Sequence, residues 1–287
     1  MTWDGTRPLR SALYVPASRR RAMDKAATLA VDAILYDLED ALAPSEKADA
    51  RAALAGRLAA PRPDGRLRVV RINGLDTPWG AADLAMAAGT ACDAVLVPKA
   101  DGPRAVAAVA ERLPEEIAVW AMIETPAGVL EARAVAAAPR VGALVAGTND
   151  LAAALGIRLA PGRPGLEAAL QGCVLAARAA GVACLDGVSN AVADGDALRA
   201  DCAQGRAWGF DGKTLIHPAQ VAAANAAFGP APEEVEEARR VIAAFEAAIA
   251  AGRGVAVLDG RLVEALHVDT ARRLLARSDA MRARGGD

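Results

Sequence analysis

Aromatic residues, basic blocks and long apolar runs are scarce in this chain of 287 residues, and each scarcity excludes a class of protein. Only 3% of the residues are aromatic and the net charge is -2, so a nucleic-acid partner is not expected. No apolar run approaches the roughly 18 residues of a membrane-spanning helix. The first residues lack the basic and apolar regions of a signal peptide. We therefore expect a cytoplasmic protein with no membrane partner.

Histidine and cysteine are also scarce. The chain has two histidines and four widely spaced cysteines with no C-x-x-C pair, so a zinc site is not expected. A disulfide framework is unexpected in a long chain without export signals. The cysteines are predicted to be small apolar core residues: Cys92, Cys173, Cys184 and Cys202.

The chain does contain a succession of short apolar runs separated by helical stretches. These runs cover residues 11–16, 32–40, 68–73, 93–99, 117–123, 141–146, 181–187 and 210–217. Continuous apolar runs are typical of strands buried on both faces. Eight βα units predict an α/β protein with a (β/α)8 TIM barrel over residues 1–229. An open doubly wound sheet is the alternative, which the missing G-x-G-x-x-G turn after the first run disfavours.

Residues 230–287 differ in character from the barrel units. A long amphipathic helix is predicted from Glu233 to Ala251, and a small hairpin turning at Asp259-Gly260 follows it. A last helix is predicted from Val268 to Arg284. Because this segment is too short for an independent core, we expect a C-terminal extension that packs on the barrel or on a neighbouring subunit.

Two carboxylates follow consecutive predicted strands. Glu124 comes directly after the fifth run, and Asp150 follows the sixth. In a TIM barrel the carboxyl ends of the strands form the active site. Two carboxylates with water and a ligand oxygen suit Mg²⁺. The alternative is that each residue caps the next helix or pairs with a surface cation.

Polar residues also stand at the ends of other strands. Arg71 belongs to the third run and is expected in the same site, where pairing with Glu39 or Asp40 is the alternative to binding an anion. Glu39 and Asp40 are expected to hold a water molecule or Arg71. His217 ends the eighth run, and a structural contact to the backbone is its alternative role.

The first βα unit contributes an aromatic residue and two cations. Tyr14, Arg19 and Lys25 lie on the strand end, the loop and the following helix. An aromatic face with two cations is able to bind an adenine and phosphates. The alternative is that these cations only lie at the solvent-exposed start of a helix and bind no ligand.

Taken together, these motifs resemble the HpcH/HpaI aldolase and citrate lyase β-subunit-like superfamily, and within it the CoA-ester lyases. The resemblance covers nearly the whole chain. It is carried by residues 10–16 (RSALYVP), 37–41 (DLEDA), 70–74 (VRING), 97–99 (VPK), 122–125 (MIET), 147–151 (GTNDL) and 212–218 (GKTLIHP).

The resemblance implies the roles of the site residues. Glu124 and Asp150 are expected to bind Mg²⁺, and Arg71 to bind the substrate and stabilise an enolate. Tyr14, Arg19 and Lys25 are expected to bind coenzyme A. The implied substrate pocket also includes Asn149, Ile216 and His217.

The resemblance also implies an acid/base residue in the C-terminal extension. The matching residue is Glu264, and Arg71, Asp40 and Glu264 are the expected catalytic residues. In related lyases this carboxylate often comes from the adjacent subunit, so we expect a homotrimer or homohexamer.

The expected reaction is a reversible Claisen-type cleavage of a malyl-CoA-like or citramalyl-CoA-like thioester into an acyl-CoA and a 2-oxo acid. Hydrolysis of the same thioester by the same residues is an alternative. The motifs are also compatible with an aldolase without a CoA substrate, with a citrate lyase β-like subunit acting on a carrier-bound thioester, and with a non-catalytic relative.

Overall fold

The computed structural model describes residues 7–60 and 65–283. These residues divide into two compact units: the first contains residues 9–60 and 65–228, and the second contains residues 7–8 and 229–283. Within the described ranges, no helix is both long enough and apolar enough to cross a bilayer. The cytoplasmic location stays a prediction.

The first unit is a closed barrel of parallel strands, as predicted from the sequence. Each strand pairs with its neighbour along the chain, and the eighth pairs with the first. The strands are β1 (Ser11–Pro16), β2 (Ala33–Asp37), β3 (Leu67–Arg71), β4 (Ala94–Val97), β5 (Ala118–Ile123), β6 (Val141–Ala146), β7 (Ala183–Asp186) and β8 (Gly212–Leu215). The alternative of an open doubly wound sheet is therefore excluded.

Helices follow the strands and cover the outside of the barrel. They are α1 (Arg20–Ala26), α2 (Lys47–Ala59), α3 (Gly80–Ala88), α4 (Pro103–Ala110), α5 (Pro126–Ala136), α6 (Thr148–Ala154), α7 (Glu167–Ala180), α8 (Gly195–Ala207) and α9 (Val221–Phe228). Short 3₁₀ turns at Pro44–Glu46 and Pro218–Gln220 precede α2 and α9.

The strands are mostly apolar because each is buried on both faces. Alternate side chains such as Leu35, Val69 and Trp120 pack inside the barrel. Their neighbours, such as Ile34 and Val70, pack against the helices in a larger outer core. The side chain at the end of each strand therefore points either into the barrel mouth or toward the helices, according to its place in this alternation.

The second unit contains α10 (Pro232–Ala250), β9 (Ala256–Leu258), β10 (Arg261–Val263) and α11 (Ala265–Ala283). The two strands form an antiparallel hairpin that turns at Asp259 and Gly260, both with positive φ, as predicted. A small apolar cluster of its own includes Ala248, Val263 and Val268. Arg284, the predicted end of the last helix, lies outside the described residues.

The cysteines are core residues, as predicted. All four are buried and none forms a disulfide. Burial raises the pKa of the Cys173 thiol to about 12 and that of Cys202 to about 11. Because the thiolate is the reactive form, these thiols are inert in the folded protein.

Candidate active site

A cavity of about 360 Å³ opens at the carboxyl ends of the barrel strands. Its wall contains residues from seven of the eight βα units. Seven residues predicted from the sequence line it: Tyr14, Asp40, Arg71, Glu124, Asn149, Asp150 and Ile216. The closed barrel thus brings together groups that lie far apart in the chain.

Arg71 is held in this cavity by Asp37. Its Nε donates to Asp37 Oδ1 at 2.8 Å, and its Nη2 donates to Oδ2 at 2.7 Å. The two residues are register partners on β2 and β3, so the guanidinium meets the carboxylate in a two-point contact. Sequence reasoning missed Asp37. The available signal was the alternation in β2, because Leu35 faces the barrel interior and residue 37 therefore does too.

Two further carboxylates and an aromatic ring contact Arg71. Its Nη1 lies 3.0 Å from Glu39 Oε2 and 3.3 Å from Asp40 Oδ2. The guanidinium lies 4.9 Å from the centre of the Tyr14 ring. Burial lowers the pKa of Arg71, but the hydrogen bonds and charge of Asp37 outweigh it and raise the pKa above its usual value. Arg71 is therefore a permanently charged group.

Glu124 follows β5 and is buried at the cavity wall. Its Oε1 accepts the backbone N–H of Lys99 at 2.7 Å. Lys99 has a φ of 46°, a left-handed conformation that is uncommon outside glycine. Burial raises the pKa of Glu124 to about 7; the Lys99 N–H lowers it and the charge of Asp150 raises it. Because burial disfavours the charged form of Glu124, a bound cation would stabilise that form.

Asp150 lies in the first turn of α6 and is partly exposed. Asn149 beside it exchanges two hydrogen bonds with Asn190. The Asn149 amide donates at 3.3 Å and the Asn190 amide donates back at 2.9 Å. This pair links the segment after β6 to the loop after β7, next to Asp150.

The charges around the cavity favour a divalent cation. Asp37, Glu39, Asp40, Glu124 and Asp150 supply five carboxylates, and Arg71 contacts three of them. Burial also raises the pKa of Glu39, to about 8. No three His, Cys, Asp or Glu side chains of the described ranges are grouped to hold a metal. Glu124 and Asp150 both line the cavity, and such a pair fits Mg²⁺, which is commonly held by one or two carboxylates and completed by water and substrate oxygens.

Three predicted site residues of the barrel unit are not among those that line the cavity. Arg19 is the exposed residue before α1, and Lys25 is exposed in its last turn. His217 is exposed, and its Nδ1 accepts the N–H of Ala219, which caps the 3₁₀ turn before α9. Glu264 belongs to the second unit, where it is exposed just before α11. The roles assigned to these four residues stay predictions.

The raised carboxyl pKa values predict how the stability of the metal-free protein depends on pH. The pKa values of Glu124 (about 7) and Glu39 (about 8) exceed the ordinary 4.5. The folded state therefore binds more protons than the unfolded state within this window, and its stability falls as pH rises through it. With chelator present, we expect a higher melting temperature at about pH 6 than at about pH 8, and Mg²⁺ should stabilise most at the higher pH.

The control for this pH dependence is Glu124→Gln, which should flatten the slope because one of the two titrating groups is gone. A metal-free melting temperature that increases from about pH 6 to about pH 8 would contradict the assignment of raised pKa values.

The side chain of Glu124 leaves no room for a side chain at residue 147, which is a glycine. A Cβ at residue 147 would lie 2.4 Å from Glu124 Cβ and 2.8 Å from its Oε2. Gly147→Ala should therefore displace the carboxylate and weaken Mg²⁺ binding by about 10–100-fold, as measured by calorimetry. Gly172→Ala in α7 is the matched control, since a Cβ there meets no atom within 4 Å. Equal Mg²⁺ affinity in Gly147→Ala and the wild type would disprove the prediction.

The sequence of this chain matches one protein family and is similar to several characterised proteins. The HpcH/HpaI aldolase/citrate lyase family matches residues 10–218. A (3S)-malyl-CoA thioesterase of Cereibacter sphaeroides (strain ATCC 17029) is 52% identical over 276 residues, with 96% of each chain covered. An L-malyl-CoA/beta-methylmalyl-CoA lyase of Cereibacter sphaeroides is 32% identical over 308 residues, again with 96% of each covered.

A solved structure that contains magnesium is similar to this chain in fold and sequence. CitE from Mycobacterium tuberculosis, in complex with magnesium, acetoacetate and coenzyme A, superposes with a TM-score of 0.80. It is 34% identical, and the match covers 94% of this chain and 97% of that chain. The magnesium of that complex supports the predicted cofactor, Mg²⁺.

The expectation of a carbon–carbon lyase is wrong. At the same coverage, the thioesterase shares 52% of its residues with this chain and the malyl-CoA lyase shares 32%. The motifs that carried the lyase interpretation concern the carboxylates, the arginine and the CoA contacts. Both reactions use a thioester bound by such groups, so these motifs do not distinguish breaking a C–C bond from breaking a C–S bond.

What the matched barrel and its motifs do establish is that the chain belongs to the HpcH/HpaI aldolase/citrate lyase family.

Proposed function

We propose that this protein is a thioesterase that hydrolyses a 3-hydroxyacyl-CoA of the malyl-CoA class to the free hydroxy acid and coenzyme A. The observation that carries this proposal is the 52% identity, over 96% of both chains, to a (3S)-malyl-CoA thioesterase. The cavity supports it, because an acidic wall with one arginine suits a small hydroxy acid bound with a divalent cation.

Glu124 and Asp150 are the residues that would hold Mg²⁺ in this proposal. When bound, the ion supplies positive charge that binds and polarises oxygens of the acyl group. The buried position of Glu124 and the Lys99 N–H on its Oε1 keep that carboxylate in one orientation. Such a fixed ligand favours one placement of the substrate over others.

Asp40 is the proposed general base. It lines the cavity, its side chain is 59% exposed, and Arg71 holds it at 3.3 Å. It takes a proton from the attacking water, whose oxygen bonds to the thioester carbonyl carbon. The carbon–sulfur bond then breaks, and the proton passes from Asp40 to the sulfur of the departing CoA.

Arg19 and Lys25 are proposed to bind the phosphates of coenzyme A. Both are exposed, on and beside α1, which follows the cavity-lining strand β1. The structure of M. tuberculosis CitE with coenzyme A supports a CoA ligand for this family. Exposed cations suit a phosphate group that is bound close to solvent.

The experiment that tests the proposal is a product analysis with (3S)-malyl-CoA. Free thiol is followed with a chromogenic disulfide, and the organic acids are quantified by mass spectrometry with Mg²⁺ and then with chelator. We expect one malate for each CoA released, and no release after chelation. Acetyl-CoA and glyoxylate without free thiol would contradict the proposal.

Asp40→Asn should reduce the rate by about 10²-fold in the same assay.

We further propose that the protein is a homotrimer or homohexamer and that Glu264 takes part in proton transfer. Its exposed position before α11 leaves it accessible to a substrate or a second subunit. Light scattering on the purified protein tests the assembly, and a monomer would exclude it. Glu264→Gln tests the proton transfer, and an unchanged pH–rate profile would exclude it.

A further inference from the structure

The cavity wall has three hydroxyl groups, and two of them already have an oxygen acceptor. Thr214 Oγ1 donates to the Asp186 carbonyl at 3.0 Å, and Thr148 Oγ1 donates to the Val188 carbonyl at 3.5 Å. The Tyr14 hydroxyl has only the Met122 sulfur, at 3.9 Å. Within residues 7–60 and 65–283, it is the cavity hydroxyl whose hydrogen meets no oxygen or nitrogen acceptor.

Tyr14 lines the cavity beside Arg71 and Met122, which are both buried. It points into the barrel, since its neighbours Leu13 and Val15 belong to the outer core. Its ring stacks on the Arg71 guanidinium at 4.9 Å, and both contact the Met122 sulfur. Asp40, the proposed general base, contacts the same Arg71, so we expect Tyr14 to meet the reacting end of a bound thioester rather than its nucleotide.

We propose that Tyr14 is a catalytic residue whose hydroxyl donates a hydrogen bond to the thioester carbonyl oxygen, an inference that rests on the proposed hydrolysis. As water adds to the carbonyl carbon, the carbonyl electron pair moves onto this oxygen. A donor already aimed at that oxygen stabilises the developing charge. No proton leaves Tyr14, because a phenol remains neutral near pH 7. Collapse of the intermediate restores the carbonyl and expels the sulfur.

Arg71 is less suited to this role because three carboxylates already hold its guanidinium. Its Nε and Nη2 donate to Asp37, and its Nη1 lies against Glu39 and Asp40. Turning toward the substrate would break a buried two-point contact. Tyr14 gives up only a weak contact to sulfur when it donates to an oxygen.

The test compares Tyr14→Phe with the wild type in the malyl-CoA assay. Phenylalanine keeps the ring on Arg71 and removes only the hydroxyl. We expect kcat to fall by about 10²–10³-fold with KM nearly unchanged. Tyr36→Phe is the matched control, because it removes the same hydroxyl from the outward face of the neighbouring strand β2. Its kcat should stay close to that of the wild type.

A truncated substrate separates this role from nucleotide binding. Malyl-pantetheine keeps the thioester and lacks the adenine and its phosphates. If the hydroxyl acts on the thioester, the ratio of wild-type to Tyr14→Phe rates is the same for both substrates. A ratio that collapses to one with malyl-pantetheine would place Tyr14 at the nucleotide and overturn the inference.

A non-hydrolysable ketone analogue, with CH₂ in place of the sulfur, distinguishes failure of the inference from failure of the proposed function. We expect it to bind Tyr14→Phe about tenfold more weakly than the wild type. An active wild type with equal rates and affinities in Tyr14→Phe overturns only the inference. An inactive wild type with the tenfold difference overturns hydrolysis and supports the carbonyl contact. An analogue that binds neither protein overturns both.

Discussion

Replacing Glu124 with glutamine is expected to lower kcat for malyl-CoA hydrolysis by about 10³-fold, because a metal ion supplies several kcal/mol of charge stabilisation in such reactions. Glutamine keeps the size of the side chain and an oxygen that can accept the Lys99 N–H at Oε1. It removes the charge that, with Asp150, is proposed to bind Mg²⁺. The measurements are steady-state kinetics at saturating Mg²⁺ and calorimetric titration of the ion.

The matched control for this variant is Glu131→Gln. Glu131 is exposed on α5, a few residues further along the same βα unit. The same loss of charge there should leave both the rate and the Mg²⁺ affinity unchanged. A Glu124→Gln enzyme with wild-type Mg²⁺ affinity and turnover would remove Glu124 from the metal site.

Asp186→Asn is expected to destabilise the protein by about 3–5 kcal/mol, because it leaves buried cations without their counter-ion. Asp186 and Lys213 are both completely buried, and the Lys213 Nζ lies 2.8 Å from Asp186 Oδ2. Arg163 Nη1 lies 2.7 Å from the other oxygen. These contacts join β7, β8 and the segment before α7. Urea unfolding followed by circular dichroism measures the change.

The control is Asp196→Asn, in which the partner of an exposed ion pair with Arg199 is lost. Exposed pairs contribute little because water and salt screen them, so no measurable change in unfolding is expected. A loss in Asp186→Asn no larger than that of Asp196→Asn would show that the buried network does not stabilise the barrel.

The polar residues of the cavity suit both a lyase and a thioesterase. Both reactions act on a thioester bound through a cation, an arginine and CoA contacts, so both select the same residues. The outcome depends on whether water or a C–C bond is aligned with the reacting carbon, which is a matter of small differences in position. The 52% identity to the thioesterase compares 276 residues, whereas each motif compares only a few.

The barrel, the hairpin and the main polar residues were predictable from the order of residues. Apolar runs mark buried strands, Asp-Gly marks a tight turn, and a strand end in a barrel faces the mouth. These signals are local, since each depends on a few neighbouring residues. Glu124, Asp150 and Arg71 were found in this way, and all three line the cavity.

Other features became clear only from the three-dimensional arrangement. Asp37 is the main partner of Arg71, Lys99 adopts a left-handed backbone to reach Glu124, and Tyr14 lines the cavity with a hydroxyl that contacts a sulfur. Each of these depends on strand register or on contact between residues 25 to 108 positions apart. A linear pattern does not record which distant atoms meet, because that is set by how the closed barrel aligns its strands.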